Sequence, residues 1–207
     1  MNRLITFEGI DGSGKSTQIK LLESWFTENG NDFISVREPG GTSISEDIRS
    51  ILLDKSNRHL GEATESFLFL SARAQLVREI ITPALRNDQF VICDRFIDST
   101  IAYQGYGRKL DVPTLKVLND FAIGVCIPGI SFILDIPVDT SYNRRMDTEN
   151  DRMEAAGNSF MERVRLGYKD ISESEPERVT LLDGTGTKEA LFQKIKACLS
   201  KNFEELE

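Results

Sequence analysis

Apolar residues fall in five short runs, Leu4 to Phe7, Phe33 to Val36, Phe90 to Cys93, Ile130 to Leu134 and Val179 to Leu182, each followed by a stretch with helical spacing. Short continuous apolar runs bounded by glycine or polar residues read as strands buried on both faces, the kind found in parallel sheets. Five such strands alternating with helices predict an α/β fold with one five-stranded parallel sheet flanked by helices, its ligands at the carboxyl ends of the strands. Between the second and third runs, Glu62 to Leu85 is apolar on nearly every side and predicts a central buried helix. The stretch Asp147 to Asn158 is polar, contains Gly157 and interrupts two helical patterns. A mobile lid over the site is one reading of it, and an ordinary solvated connection is the other. No repeat, low-complexity tract or linker divides the chain, so a single domain over residues 1–207 is expected.

Composition narrows the partners. With 25 Lys and Arg against 33 Asp and Glu, the 207-residue chain carries a formal net charge of −8. That field repels a polyanion, so a nucleic-acid polymer is not expected, and any phosphate-bearing ligand must be gripped by a local pocket of Arg, Lys and backbone N–H groups. Cys93, Cys126 and Cys198 are dispersed with no C-x-x-C pair, which points to free thiols rather than a disulfide framework or zinc site. No stretch reaches the length of a membrane span, and a cytoplasmic protein with no membrane partner is expected.

The strongest chemical signal follows the first strand. Gly9-Ile10-Asp11-Gly12-Ser13-Gly14-Lys15-Ser16 fits G-x-x-x-x-G-K-[ST] between a strand and a helix, with Thr17 next. Glycines let successive N–H groups curl round a phosphate, the helix N-terminus adds positive potential, Lys15 reaches the transferred phosphate and Ser16 offers a hydroxyl to Mg²⁺. ATP with Mg²⁺ is therefore the expected donor. A GTPase switch would need an N-K-x-D guanine reader, and none occurs; Asp183-Gly184-Thr185-Gly186 follows the last strand, too late for a switch segment. At the end of the third strand, Asp94 can hold Mg²⁺ through water and Arg95 can bridge phosphates, although an Asp-Arg pair alone also reads as a local ion pair.

Three motifs together are more specific. Phe7 to Thr17, Arg37-Glu38-Pro39-Gly40-Gly41-Thr42, and Asp94-Arg95-Phe96-Ile97-Asp98-Ser99-Thr100-Ile101-Ala102-Tyr103-Gln104-Gly105 resemble the signatures of the thymidylate kinases, and the resemblance runs from Leu4 to about Leu199. It implies a P-loop nucleoside monophosphate kinase fold, commonly a homodimer, that transfers the γ-phosphoryl of ATP to thymidine 5′-monophosphate. Other nucleoside monophosphate kinases, deoxynucleoside kinases and a non-catalytic nucleotide-binding module remain the alternatives. The resemblance further implies that Phe69 stacks on the base while Arg73, four residues on and so on the same helix face, donates to its O4. Taken alone, Phe69 reads as core packing. By the same resemblance Arg49 grips the acceptor phosphate, and Glu38, Pro39 and Ser99 line the acceptor site. Thr100 lies near the base N3, Tyr103 packs where a ribose 2′-OH would intrude, and Gln104 closes that side. Asp11 and Glu154 approach the sugar hydroxyl and metal.

The family has a form with a basic residue inside the P-loop and a form that takes its catalytic arginine from the lid. Gly12 occupies the P-loop position here, so the lid side is expected to supply the charge, from Arg144, Arg145 or Arg152 within a segment at about 142–158. Arg145 is the first choice, because Arg144 sits deeper in the helical pattern begun at Asp139 and could serve as a helix-face ion pair. Two departures stand out. The lid reads Met146-Asp147-Thr148-Glu149-Asn150-Asp151, poorer in Arg than is usual, and Phe96 replaces the commoner Tyr or His after Asp-Arg.

Overall fold

Five strands form in the computed structural model, which describes residues 2–145, 152–153 and 157–206: β1 (Leu4–Glu8), β2 (Phe33–Arg37), β3 (Phe90–Asp94), β4 (Ile130–Asp135) and β5 (Val179–Asp183). All pair in parallel in the order β2-β3-β1-β4-β5. Burial follows that order. Central β1 is closed to solvent along its whole length and β3 and β4 nearly so, whereas the edge strands β2 and β5 are part-exposed. Continuous apolar sequence is what a strand needs when helices cover both its faces.

The two-residue period of a strand divides the core. Ile5 and Phe7 of β1 point to one face with Ile92 and Phe132, against Leu22 and Phe26 of α1 (Lys15–Glu28) and Ile195 and Leu199 of α9 (Lys188–Asn202). On the opposite face Leu4, Val91 and Cys93 meet Leu76, Val77 and Ile81, while Ile133 and Val179 meet Val164, Tyr168 and Ile171 of α8 (Asn158–Ser174). Thr6 and Glu8 share this second face with Leu4, which puts a buried carboxyl beneath the carboxyl edge of the sheet.

The expected helix over Glu62–Leu85 is an α-helix α3 (Glu62–Leu76), a π-helical turn at Val77–Ile81 and a short α4 (Thr82–Arg86). Pro83 has no N–H for the carbonyl four residues back and its ring crowds that carbonyl, which the wider turn just before it accommodates. Nor is α3 uniformly buried. Glu65, Ser66 and Arg73 face inward, while Phe67 is 57% exposed, so a helix expected to be buried all round is buried on one side only. Around it lie α2 (Ser43–Leu53), whose N-terminal Thr42 accepts from Ser45 N at 3.1 Å, and α6 (Val112–Ile123), capped by Asp111 at 2.8 Å from Thr114 N. Helix α2 packs on α3 and α3 on α6.

A second π-helical stretch, Ile101–Gly107, follows α5 (Ile97–Thr100) and packs along α8. The two come close enough at Gly167 that an added Cβ would lie 2.7 Å from Tyr106 Cγ. Helix α7 (Val138–Arg144) precedes the lid sequence. Of the stretch Asp147–Asn158, only Arg152, Met153, Gly157 and Asn158 are among the described residues, and Glu154 lies outside them. No described helix is long and apolar enough to cross a membrane.

Candidate active site

Each strand exchanges apolar residues for a charged one at its last position, Glu8, Arg37, Asp94, Asp135 and Asp183, and a cleft of about 620 Å³ opens along that edge. The P-loop forms one wall from Asp11 to Thr17. Its chain turns tightly, with positive φ at Gly9 (126°), Gly12 (74°) and Gly14 (100°), and hands directly into α1 at Lys15, leaving the helix N–H groups facing the cleft. Lys15 Nζ donates to Gly9 O (3.1 Å) and Ile10 O (3.3 Å), lies 3.9 Å from Asp11, and is almost fully enclosed. Burial pushes its ammonium below the ordinary lysine range, and nearby Arg95 adds to that.

Arg95 enters from the end of β3 with φ at 68°, a left-handed conformation uncommon outside glycine and often found at binding sites. Its guanidinium donates to Asp11 Oδ1 at 2.6 Å and to Gly9 O at 3.0 Å, with Ser99 Oγ and Tyr168 OH each 3.3 Å away. Burial by itself would raise the Asp11 carboxyl, but Arg95 and Lys15 outweigh it and hold that group well below the usual range. Asp94 Oδ1 and Ser13 Oγ are buried without a hydrogen-bond partner among the described residues, and both residues line the cleft.

The far wall comes from α3 and its neighbours. Phe69 and Arg73 both line the cleft, as the four-residue spacing implies. Arg73 is held more completely than sequence could show. Its Nε donates to Glu38 Oε2 (2.7 Å), Nη1 to Thr100 Oγ1 (2.7 Å) and Asn119 Oδ1 (2.6 Å), and Nη2 to Phe96 O (2.9 Å), with Nη2 also 2.7 Å from Glu38 Oε2. All five N–H groups therefore face protein acceptors, and a direct bond to a base oxygen needs one of them released. Pro39 O accepts from Arg49 Nη1 at 2.8 Å, so Arg49 reaches the cleft beside Glu38. Tyr103 and Gln104 enter from the π-helical stretch, and Gln104 Nε2 donates to Glu65 Oε1 at 3.0 Å.

The three lid-side arginines separate. Arg144 reaches over the P-loop to Gly12 O (3.1 Å) and Gly184 O (3.0 Å) and lines the cleft. Arg145 does not line it; its stem passes Gly12, with Cγ 3.3 Å from where a Cβ would stand, and its charge acts on Asp11. Arg152 lies on the α3 side, 2.6 Å from Glu65 and donating to Leu52 O at 2.7 Å. The cleft thus gathers the predicted residues from Asp11 to Thr17, Glu38, Pro39, Arg49, Phe69, Arg73, Asp94, Arg95, Ser99, Thr100, Tyr103, Gln104 and Arg144, while Gly9, Arg145 and Arg152 stand outside its lining.

The thymidylate kinase family model matches residues 7–195. The chain belongs to the thymidylate kinase family. It is 43% identical over 192 residues to the thymidylate kinase of Kosmotoga olearia, covering 92% of each chain, and 46% identical to that of Geotalea uraniireducens over 89% of this chain and 90% of the other. The crystal structure of the Ehrlichia chaffeensis thymidylate kinase superposes with a TM-score of 0.80 at 35% identity, covering 95% of this chain and 97% of that one. The fold is that of the P-loop nucleoside monophosphate kinases, and the chain is an ATP-dependent enzyme of that class.

Within this thymidylate kinase family member, sequence reading missed the groups that hold the contact residues in place. Glu65 is a buried carboxylate paired with Arg108 (3.0 Å) and Arg152, and Asn119 reaches Arg73 from α6. Glu8 accepts from Phe96 N (2.7 Å), Ser99 Oγ (2.6 Å) and Tyr168 OH (3.1 Å), beside Arg95. A carboxylate closing an apolar strand was the one available signal, and it is legible only once the buried face of β1 is known.

Burial pushes the Glu8 carboxyl up to about 7, and the nearby Asp98 charge adds to it, against the opposing bonds from Ser99 and Phe96 N–H and the positive charge of Arg95. Between the ordinary carboxylate range and about pH 7 the folded chain keeps a proton that the unfolded chain has lost, so this group lowers stability as pH rises through that window. Glu8→Gln, which mimics the protonated form, should flatten the fall. Urea unfolding of both proteins at about pH 5 and about pH 7.5 measures it, and equal slopes in the two would place the proton elsewhere.

Proposed function

We propose that the P-loop side of the cleft holds ATP and the α3 side holds thymidine 5′-monophosphate, so that the chain transfers the γ-phosphoryl group to give thymidine 5′-diphosphate and ADP. The observation that carries this reading is a single cleft with the P-loop and Lys15 at one end, Phe69, Arg73 and Thr100 at the other, and Arg95 with Asp11 between them. In-line transfer asks the protein for positioning and charge neutralisation rather than a side-chain nucleophile. Lys15 and the α1 N-terminus meet the donor phosphates, and Gly9 through Thr17 form their cradle. Arg95 and Arg49 bring the anionic acceptor in against the net charge of −8.

Asp94, with an unpartnered oxygen in the cleft, and Ser16 fit a magnesium ion, which takes oxygen ligands and usually only one or two carboxylates. Bound there, Mg²⁺ neutralises charge on the phosphates. Asp11 and Glu154 act near the acceptor sugar. The donor base lies beyond the P-loop, where Arg144, Gly184, Gly186 and Lys188 continue the cleft. Phe69 stacks on the thymine. Arg73 donates to its O4, which cytosine replaces with an amino donor, and Thr100, which accepts from Arg73, lies near the base N3. Tyr103 and Gln104 crowd the 2′ side of the sugar, while Glu38, Pro39 and Ser99 complete the wall.

One kinase domain spans residues 1–207, with residues 142–158 as a lid. Of its arginines Arg145 serves the transferred phosphate, because its stem packs on the P-loop glycine and its charge acts on Asp11. The chain is a cytoplasmic homodimer. Phe121 (89% exposed), Val117 (67%) and Phe67 (57%) form an apolar strip on the adjoining helices α3 and α6, the kind of surface a partner copy covers.

Three outcomes test this reading. Lys15→Ala should leave the fold intact and lower turnover at least about a hundredfold, and a coupled assay of ADP formation should rank thymidylate above deoxyuridylate, deoxycytidylate, uridylate and thymidine. Near-normal activity in the folded variant ends the kinase mechanism drawn here. Arg145→Ala should lower kcat by about 10³ with little change in thymidylate binding, measured beside Arg144→Ala and Arg152→Ala. If all three keep kcat within about threefold, the lid-arginine mechanism is wrong. Phe121→Glu should shift the protein from dimer to monomer in sedimentation; an unchanged mass moves the interface elsewhere.

A further inference from the structure

Arg95 is held at its backbone and at its guanidinium by one buried carboxyl group. Its own N–H donates to Phe7 O at 2.9 Å, and the next one, on Phe96, donates to Glu8 Oε1 at 2.7 Å. Glu8 Oε2 accepts from Ser99 Oγ at 2.6 Å and from Tyr168 OH at 3.1 Å, and those two hydroxyls lie 2.8 Å apart. Each hydroxyl is also 3.3 Å from Arg95 Nη1. Glu8 is fully buried and Tyr168 nearly so. A guanidinium can only donate, so it needs lone pairs on the hydroxyls it faces. A charged Glu8 takes the hydroxyl protons and turns those lone pairs toward Arg95. Protonated, it keeps Oε1 for Phe96 N–H and carries the proton on Oε2, where it donates into the hydroxyl pair and displaces a hydroxyl proton toward the guanidinium.

We propose that Glu8 is a positioning residue for Arg95, its carboxylate orienting Ser99 and Tyr168 so that the guanidinium is fixed where the acceptor's phosphate arrives. This rests on the reading of Arg95 as a phosphate-binding group of the acceptor site. Asp11 and Gly9 O hold the P-loop side of the guanidinium, and Glu8 governs the side toward α8. Burial raises the Glu8 carboxyl to about 7, so its two states exchange between about pH 6 and about pH 8. Its neighbours keep their states across that range. Burial and the Glu8 charge hold the Tyr168 hydroxyl well above its ordinary range, burial does the same for the Cys93 thiol of β3, and Asp11 stays charged beside Arg95. Asp98 of α5 is paired with Arg178, and Lys15 faces Glu8 from α1.

Glu8→Gln keeps an acceptor for Phe96 N–H and presents a donor to Ser99 and Tyr168, as the protonated acid does. Thymidylate Kd is measured by calorimetry for parent and variant at about pH 6 and about pH 8 and read as a ratio at each pH, which cancels the ionisation of the substrate's own phosphate. Glu8→Gln should bind thymidylate about fivefold or more weakly than the parent at about pH 8, and within about twofold of it at about pH 6. Should it not fold, Tyr168→Phe carries the same expectation, because it deletes a lone pair that faces Arg95 only while Glu8 is charged. A weakening of the same size at both pH values gives Glu8 a structural role and overturns the proposal. Tighter binding by Glu8→Gln also overturns it, since charge repulsion then outweighs placement. Arg95→Ala tests the reading underneath. Weaker thymidylate binding in Arg95→Ala, with a Glu8→Gln ratio near one throughout, overturns the proposal alone. Unchanged binding in both variants removes the acceptor role of Arg95, and the proposal with it.

Discussion

Parallel strands deliver all their carboxyl ends to one edge, and in this chain that edge is where charge must be satisfied. The apolar runs end on Glu8, Arg37, Asp94, Asp135 and Asp183, side chains that cannot follow the strand interiors into the core. Three of them are answered at the edge itself. Arg37 pairs with Glu46 (3.1 Å), Asp135 takes a bidentate contact from Arg165 (2.6 and 3.0 Å), and Asp183 bonds Thr185. Glu8 and Asp94 face the interior of the edge instead, and there the P-loop and Arg95 are built around them. The cleft is the unfilled part of a polar layer that the sheet topology makes unavoidable.

Three buried carboxylates, each paired with arginine, then tie separate elements to that layer. Arg73 joins α3 to Glu38 at the end of β2, Glu65 joins α3 to Arg108 and Arg152, and Arg178 joins the start of β5 to Asp98 of α5 at 2.8 Å. Such pairs are poor sources of stability, because desolvation offsets most of the attraction. For Glu38 burial still raises the carboxyl despite the nearby arginine. What they contribute is register: each guanidinium has one geometry in which its donors are met, and α3, α5 and the lid-side residue Arg152 are located by it. An acidic protein that binds anions needs this, since its cationic groups must be fixed where the ligand goes and nowhere else.

The parts legible in sequence were those determined by neighbours in the chain. The P-loop is a local turn with a local purpose, and the five apolar runs became the five strands, each one residue longer at the charged end. The Phe69 and Arg73 pair was visible through helical spacing. Legibility stopped where distant elements meet. Composition could not show that Phe67 faces outward while Arg73 and Glu65 face inward, because a helix with apolar residues all round does not declare its core side. Glu65 and Asn119 carry no motif; their partners lie 43 and 46 residues away. The resemblance implies Arg73 as a donor to the base, and only the structure shows that Glu38, Thr100, Asn119 and the Phe96 carbonyl hold it in place.

Gly12 illustrates a restriction of another kind. Ser141 Oγ donates to Asp11 O at 2.6 Å, which seats α7 against the loop, and a Cβ on residue 12 would fall 3.0 Å from Ser141 O in a backbone with φ at 74°. Any side chain there must push α7, and Arg144 and Arg145 at its end, away from the P-loop. A single substitution that places a basic residue in the loop therefore unseats α7 before the new charge can be used, so directed evolution of this chain toward a basic loop would have to cross a valley with paired changes in α7.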